Sequence, residues 1–316
     1  MSICHQIKYW SAHKIAAFIG HSARRAQGPV LRSILIGTIF KRLVRWQKLE
    51  MRSTTAFGAI MYLSLPDSIQ TCIFLTGCWE PTITKIVSTS LQAGDIFIDV
   101  GANVGYYTLL ASLLVGGNGK VYAIEASPSI FSRLKKNISA NNLNNVQLFN
   151  MAVSNAQGKI WIWTAPKGNL GHSTIVESVA ATDGHHREAE VSCNTMGALI
   201  SLADLLAARM IKIDIEGAER LAIEGVLPHL REFSERTEWL IELSPAFCPG
   251  GPKDTDWIFN IFIDAGYSAY KIENSYKPLS SAFESASANQ IARITEAPQD
   301  RLNDILFSKR RERCPN

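Results

Sequence analysis

Two acids and two glycines occur at spacings that suit a ligand pocket. Asp99 lies near the end of an apolar run that turns at Gly101 and Gly105, and Glu125 directly follows the apolar run Val121–Ile124. Glycine lets the backbone approach a ligand closely. A carboxylate before the turn can hold an ammonium group, and a second carboxylate can accept from both hydroxyls of a ribose. The pattern therefore indicates a pocket for an adenosine-bearing cofactor.

The residues of the turn discriminate between cofactors. A dinucleotide-binding turn has the pattern G-x-G-x-x-G, but Asn103 and Tyr106 occupy the second and third glycine places here. The bulky tyrosine argues against a pyrophosphate. A ligand with an ammonium, a ribose and an adenine is S-adenosylmethionine. The alternative to a cofactor site is that the glycine turn serves packing alone. We expect Asn103 to orient the turn and Asn150 or Ala152 to line the adenine.

The elements that position these residues alternate between strand and helix. The strands predicted for the sheet are Ile96–Val100, Val121–Ile124, Val146–Asn150, Met210–Ile213, Trp239–Leu243, Tyr267–Ile272 and Asp304–Ser308. Such an order predicts an α/β fold with a doubly wound, mostly parallel sheet. Two further predicted strands, Lys159–Trp163 and Ala189–Cys193, form a β insertion, and the segment between them reads as a loop. Ligands bind at the carboxyl ends of parallel strands, so the predicted site residues should converge there.

Several runs of sequence resemble the FkbM family of S-adenosylmethionine-dependent methyltransferases. They are Ile98–Thr108, Ala123–Pro128, Asn137-Ile138 with Asn141, and Ile211–Glu219, preceded by a similar lead-in at Cys78–Pro81. The resemblance covers about 77 to 245 and departs at Ala126, where the family commonly has proline. It implies a seven-stranded, class I methyltransferase-like Rossmann fold. It also implies methylation of a hydroxyl oxygen on a small molecule, glycan or lipid.

Acids also follow the strand Met210–Ile213. Asp214 and Glu216, at positions i and i+2, point the same way if the chain stays extended. A hydroxyl acceptor must lose its proton, which a general base accelerates. We expect Asp214 to be that base, with Glu216 and His172 as the other catalytic candidates. Alternatively, Glu216 caps the helix that starts near Gly217, and His172 is a solvent-facing loop residue.

We expect no metal site. The six cysteines show no C-x-x-C pair, and His185-His186 lacks a third ligand. Reduced thiols of this kind are typical of a cytoplasmic protein. Trp161 and Trp163 share one face of the insertion, where they either stack on a ligand ring or pack onto the sheet.

The charge of the chain is uneven. Residues 1–52 hold ten Lys or Arg and one acid, a net charge of +9, whereas the remainder holds 22 Lys or Arg and 27 acids, a net charge of −5. A basic amphipathic helix is predicted from Ser33 to Glu50. It either packs on the main domain or contacts an anionic membrane surface through residues 31–52. No apolar stretch is long enough to span a membrane.

The predicted organisation is a basic helical extension and lead-in at 1–76, a methyltransferase domain at 77–309 and a basic tail at 310–316. The leading hypothesis is an S-adenosylmethionine-dependent O-methyltransferase. An RNA methyltransferase that uses the basic arm is an alternative, although the net charge of −5 elsewhere argues against a nucleic-acid partner. A non-catalytic S-adenosylmethionine-binding protein is another.

Overall fold

The computed structural model describes residues 14–18, 20–22, 49–165, 173–182, 184–274 and 291–310. Its described residues form two compact units, with the boundary after Pro81. His172 and most of the predicted basic helix, up to residue 48, lie outside the described residues, as does most of the predicted tail. The predicted division at 76 and 309 stays a prediction.

The bounds of the strands and helices are as follows. In chain order, the strands are β1 (Leu49–Thr54), β2 (Ile60–Leu65), β3 (Ile96–Val100), β4 (Lys120–Ile124), β5 (Val146–Phe149), β6 (Ala152–Val153), β7 (Gly158–Thr164), β8 (His186–Asn194), β9 (Met210–Ile213), β10 (Glu238–Glu242), β11 (Ser268–Ile272), β12 (Ile291–Ile294) and β13 (Asp304–Ser308). The helices are α1 (Ser68–Thr76), α2 (Pro81–Ser90), α3 (Tyr106–Val115), α4 (Pro128–Ser139), α5 (Glu177–Thr182), α6 (Met196–Leu199), α7 (Leu202–Leu206), α8 (Glu219–Glu224) and α9 (Pro252–Asp264).

The first unit contains the antiparallel pair β1 and β2, followed by α1. Leu49 pairs with Leu65, and Leu49 and Met51 are buried while Glu50 is exposed. The prediction that a helix continues to Glu50 was therefore wrong at its end, because Leu49 and Glu50 begin a strand. The alternation of apolar and polar residues in this segment suits a half-buried strand.

The second unit contains an eight-stranded sheet in the order β12-β11-β13-β10-β9-β3-β4-β5. The pairs within β10-β9-β3-β4-β5 are parallel, whereas β13 runs antiparallel to both β10 and β11. All seven predicted strands lie in this sheet, which confirms the mostly parallel α/β fold. The eighth strand, β12, pairs with β11 at the edge of the sheet and was not predicted, since none of its four residues is fully buried and its sequence lacks the continuous apolar run of the central strands.

Burial on both faces of the central strands explains their uniformly apolar sequences. Phe97, Ile211 and Trp239 are all fully buried. Strands covered on both faces read as continuous apolar runs rather than as alternating patterns. Because β3, β4, β9 and β10 are parallel neighbours, the residues that follow them share one edge of the sheet.

The β insertion forms a separate three-stranded sheet in the order β6-β8-β7. Its antiparallel register jumps: Ile162 pairs with Ala189, but Trp163 pairs with Arg187. Glu188 is therefore an extra residue in β8, the arrangement of a β-bulge. The guanidinium of Arg187 lies 5.0 and 4.9 Å from the ring centroids of Trp161 and Trp163.

Two further predictions need correction. The segment between the insertion strands was expected to be a loop, but it contains α5, in which Ala180 is buried, and His186 begins β8. The sequence also predicts a single helix at Leu199–Ala208. The structure instead has the two short helices α6 and α7, because Ser201 starts the second one by accepting a hydrogen bond from the Asp204 N–H (3.2 Å). Within the described residues, no helix has the length and apolar character that a membrane span requires.

Candidate functional site

The turn after β3 is built from residues in left-handed backbone conformations. Gly101, Asn103 and Gly105 have φ values of 82°, 50° and 91°. A Cβ on Gly101 would lie 1.9 Å from the carbonyl oxygen of Asp214. Only glycine permits this approach, so the turn after β3 lies directly against the residue that follows β9.

Asp99 has a free acceptor beside this turn. Its Oδ2 accepts a hydrogen bond from the Thr108 hydroxyl (2.6 Å), and its Oδ1 is buried without a hydrogen-bond partner among the described residues. Burial raises the pKa of Asp99, while the charge of Lys212 and the hydrogen bond from Thr108 oppose that rise. A buried, unpartnered carboxylate oxygen is destabilising unless a donor reaches it. The ammonium of an aminoacyl group would supply such a donor, so this residue fits the expected cofactor.

Glu125 is held at both oxygens. Its Oε2 accepts from the Asn103 N–H and its Oε1 from the Ser127 N–H, each at 2.9 Å. Burial, together with the negative charges of Glu188 and Asp99, raises the pKa of Glu125 to about 7. Each carboxylate oxygen has a second acceptor site, so the fixed carboxylate can still receive two ribose hydroxyls.

The other residues predicted to bind the cofactor surround this pair. The Asn103 side chain accepts from the Val104 N–H (2.7 Å), which locks the turn. The Asn150 amide donates to the backbone carbonyls of Glu125 (2.9 Å) and Ala126 (3.0 Å), so it fixes the segment after β4. Ala152 is buried in the core of the insertion sheet. Contacts of Asn150 and Ala152 with the adenine stay predictions.

Acids converge at the ends of β9 and β10. Asp214, Glu216 and Glu242 each place one carboxylate oxygen within 4.8 Å of the others, a spacing that could hold a metal ion. Lys212 offsets part of this charge, since its buried Nζ lies 2.7 Å from Asp214 Oδ2. The same Nζ is 5.2 Å from the centroid of the Tyr107 ring.

Glu242 provides a second way to balance the charge. Its pKa is raised well above the usual value by burial and by the negative charges of Asp214, Glu216 and Asp304. A shift in this direction favours the protonated, uncharged form of the carboxyl group. A neutral Glu242 and the cationic Lys212 would both reduce the negative charge at this edge, and the expectation of no metal site stays a prediction.

The loop after β9 does not stay extended, which was the condition for Asp214 and Glu216 to point the same way. Glu216 has a φ of 50° and is buried, and its backbone carbonyl accepts from the Thr174 hydroxyl (2.7 Å). Glu219 accepts from the N–H groups of Ile215 (3.2 Å) and Gly217 (3.1 Å). Glu219 therefore fixes the loop that leads into α8, and a capping role for Glu216 stays a prediction.

Two residues near the site were not chosen from the sequence. Lys212 is two residues before Asp214, so the two side chains point to the same side of an extended strand. This spacing was the signal in the sequence that could have identified Lys212. Glu188 accepts hydrogen bonds from the hydroxyls of Ser127 (2.7 Å) and Thr164 (2.5 Å) and from the Ser129 N–H (2.9 Å). Its approach depends on the bulge in β8, for which the sequence gives no signal.

Sequence comparisons relate the chain to known methyltransferases. Probable cobalt-precorrin-6B C(15)-methyltransferases (decarboxylating) from Sulfolobus acidocaldarius and Sulfurisphaera tokodaii are 36% identical over 69 residues and 45% identical over 67 residues. These matches cover 22% and 21% of this chain, and 36% and 35% of those proteins. A protein-L-isoaspartate O-methyltransferase of Methanococcus maripaludis is 38% identical over 58 residues, which are 18% of this chain and 27% of that protein. The matched stretch is thus about a third of these relatives' length.

Solved structures show a weaker likeness. The S-adenosylmethionine-dependent O-methyltransferase of Thermotoga maritima has a TM-score of 0.41 at 13% identity, and the match covers 83% of this chain and 79% of that one. A TM-score of this size is too low to infer any property of this chain from that protein. The profile of the Methyltransferase FkbM domain family, however, matches residues 99–269, more than half of the 316 residues. The chain therefore belongs to the FkbM family of S-adenosylmethionine-dependent methyltransferases.

Proposed function

We propose that this protein transfers the methyl group of S-adenosylmethionine to a hydroxyl oxygen of a small molecule, glycan or lipid. The observation that carries the proposal is the contact between the two halves of the site. The Gly101 turn, which follows the cofactor acid Asp99, touches the backbone of Asp214, the expected base.

The cofactor half of the proposed site uses Asp99 and Glu125. Asp99 offers its unpartnered oxygen to the ammonium group. Glu125, fixed by the backbone N–H groups of Asn103 and Ser127, accepts from the ribose hydroxyls. When bound, S-adenosylmethionine would supply a methyl group on a cationic sulfur, which can leave with the bonding electron pair when an acceptor oxygen takes the methyl group. Holding the reactants in line contributes much of the rate enhancement, up to roughly 7–11 kcal/mol in ideal cases.

The acceptor half uses Asp214 as the general base. Its side chain is 32% exposed, whereas Lys212 beside it is only 6% exposed, so the carboxylate remains accessible to an acceptor hydroxyl. The proton of that hydroxyl passes to an oxygen of Asp214, and Lys212 orients the carboxylate through its other oxygen. A positioned base of this kind typically contributes roughly a hundred- to ten-thousand-fold in rate.

The test is transfer of an isotopically labelled methyl group. The protein is incubated with methyl-labelled S-adenosylmethionine and with metabolite, glycan, lipid and RNA fractions of a host extract, and labelled products are identified by mass spectrometry. We expect label on an oxygen of a product in one of the first three fractions. Label on carbon or nitrogen, or in RNA alone, would contradict the proposed acceptor class. Cofactor binding without label in any fraction would favour the non-catalytic alternative.

A further inference from the structure

The β-bulge of the insertion sheet places an acid next to the cofactor half of the site. We propose that Glu188 is a positioning residue for Glu125, so that the insertion sets the geometry and the charge of the ribose-binding carboxylate. This inference rests on the proposed assignment of Glu125 to the ribose. It adds a role for the insertion, which the family resemblance leaves without one.

The bulge explains how Glu188 reaches this position. Ala189 and Arg187 both have partners in β7, while Glu188 between them has none. An extra residue in one strand breaks the regular alternation of side chains and re-aims one of them. Two residues along the strand, Glu190 has the regular pairing opposite Trp161 and is exposed.

The contacts of Glu188 are all made to the segment that carries Glu125 or to β7. Its Oε2 accepts from the Ser127 hydroxyl (2.7 Å) and from the Thr164 hydroxyl (2.5 Å), and its Oε1 accepts from the Ser129 N–H (2.9 Å). Although burial alone would raise the pKa of Glu188, these hydrogen bonds lower it. Glu188 is therefore an anion that ties the start of α4 to the insertion.

Ser127 connects the two acids. Its backbone N–H donates to Glu125 Oε1 (2.9 Å), while its hydroxyl donates to Glu188 Oε2 (2.7 Å). The hydroxyl also accepts from the Ile130 N–H (3.2 Å), which caps α4. Any movement of Glu188 is thus transmitted to a donor that orients Glu125.

The charge of Glu188 has a separate consequence. The anionic groups that face Glu125 are Glu188 from β8 and Asp99 from β3, and both oppose its ionisation in addition to burial. Ionised Glu125 is the form that can accept two hydroxyl hydrogen bonds. Affinity for an adenosyl ligand should therefore rise with pH through the pKa of about 7. Removing the charge of Glu188 should lower that pKa and move the rise to lower pH.

The experiment measures the affinity of the full chain for S-adenosylhomocysteine by calorimetry across the neutral pH range. In Glu188→Gln we expect the plateau affinity to fall roughly three- to tenfold, the scale of a weakened charged hydrogen-bond set. We also expect the midpoint of the pH dependence to shift downward. Loss of structural support alone would lower the plateau without moving the midpoint. Glu190→Gln is the matched control, since it removes an acid from the same strand, and it should change neither quantity.

Two further variants separate the possible failures. Thr164→Val removes one hydrogen bond to Glu188 but keeps the charge of Glu188. It should therefore lower the plateau affinity about two- to threefold and leave the midpoint of the pH dependence unchanged. This variant replaces Glu188→Gln in the test if Glu188→Gln does not fold. Unchanged affinity and midpoint in Glu188→Gln, with binding lost in Glu125→Ala, would overturn the role of Glu188 and leave the cofactor site standing. Unchanged binding in Glu125→Ala would overturn the ribose assignment and this inference together.

Discussion

Gly101 and Asp214 are in backbone contact: a Cβ added to Gly101 would lie 1.9 Å from the carbonyl oxygen of Asp214. The turn after β3 and the loop after β9 therefore pack without a side chain between them. Asp214 also continues the pairing of the two strands, as its N–H donates to the Val100 carbonyl (3.0 Å). The cofactor half and the acceptor half of the proposed site are one rigid junction.

Gly101→Ala should disrupt this junction. A non-glycine residue at a φ of 82° costs about 1–2 kcal/mol, and forcing a methyl group against a carbonyl adds about 1–3 kcal/mol. We expect the free energy of unfolding, measured by urea denaturation, to fall by the sum of these two costs, and we expect the cofactor to bind more weakly. Gly94→Ala is the control, because Gly94 has a φ of 87° and a Cβ added to it would have no described atom within 4 Å. Equal losses in the two variants would show that the contact with Asp214 contributes nothing.

Lys212→Met should destabilise the fold more than an ordinary ion-pair mutation. Lys212 is buried in β9, paired with Asp99 of β3 and two residues before Asp214, so its removal takes a nearby cation away from both acids. Breaking a buried pair typically costs about 3–5 kcal/mol. The comparison is Lys120→Met. The Lys120 side chain is 55% exposed where it pairs with Asp204, so the loss of this ion pair should cost less than about 1 kcal/mol. Similar unfolding free energies in the two variants would refute the role of Lys212.

Glu219→Gln should change how stability depends on pH. Burial raises the pKa of Glu219 from 4.5 to about 7. Between these values the native state holds a proton that the unfolded chain has lost, so this residue makes stability fall as pH rises. The penalty is complete above pH 7. Glutamine keeps the oxygen that accepts from Ile215 and Gly217 but cannot ionise.

The stability advantage of Glu219→Gln over the wild type should therefore grow between pH 4.5 and 7, by at most about 1.4 kcal/mol per pH unit, and then stay constant. Urea unfolding at a series of pH values measures it. Glu224→Gln, in the same helix, removes a partly exposed carboxylate paired with Arg220 and serves as the control. A constant difference across this range would contradict a buried, proton-holding Glu219.

The strands of the sheet could be predicted because strands buried on both faces have continuous apolar sequences. Met210–Ile213 is apolar except for Lys212, it is buried on both faces, and its bounds were predicted to the residue. Asp99 and Glu125 were found because glycine spacing and strand order together place both acids at one edge. The first unit was less predictable, since the run of residues before Leu49 shows helical spacing while Leu49 to Thr54 alternates as a strand.

Local geometry could not be predicted from the sequence where it depends on tertiary contacts. Glu188 joins the site through a register jump between β7 and β8, and nothing in the residues around it requires the jump. The positive φ of Glu216 turns the loop after β9, and Glu219 accepts from the N–H groups of Ile215 and Gly217. Which acid reaches these donors depends on packing, which the order of residues does not reveal.

The most direct test of the central claim is the turnover of Asp214→Asn on the methyl acceptor, measured with calorimetry of S-adenosylhomocysteine binding on the same sample. Asp204→Asn is the matched control, because its carboxylate bonds Lys120 and Tyr122 at the start of β4, away from the site edge. We expect turnover of Asp214→Asn to fall roughly a hundred- to ten-thousand-fold, with ligand binding retained and Asp204→Asn fully active. Undiminished turnover in Asp214→Asn would contradict the assignment of Asp214 as the base of a methyl transfer to oxygen.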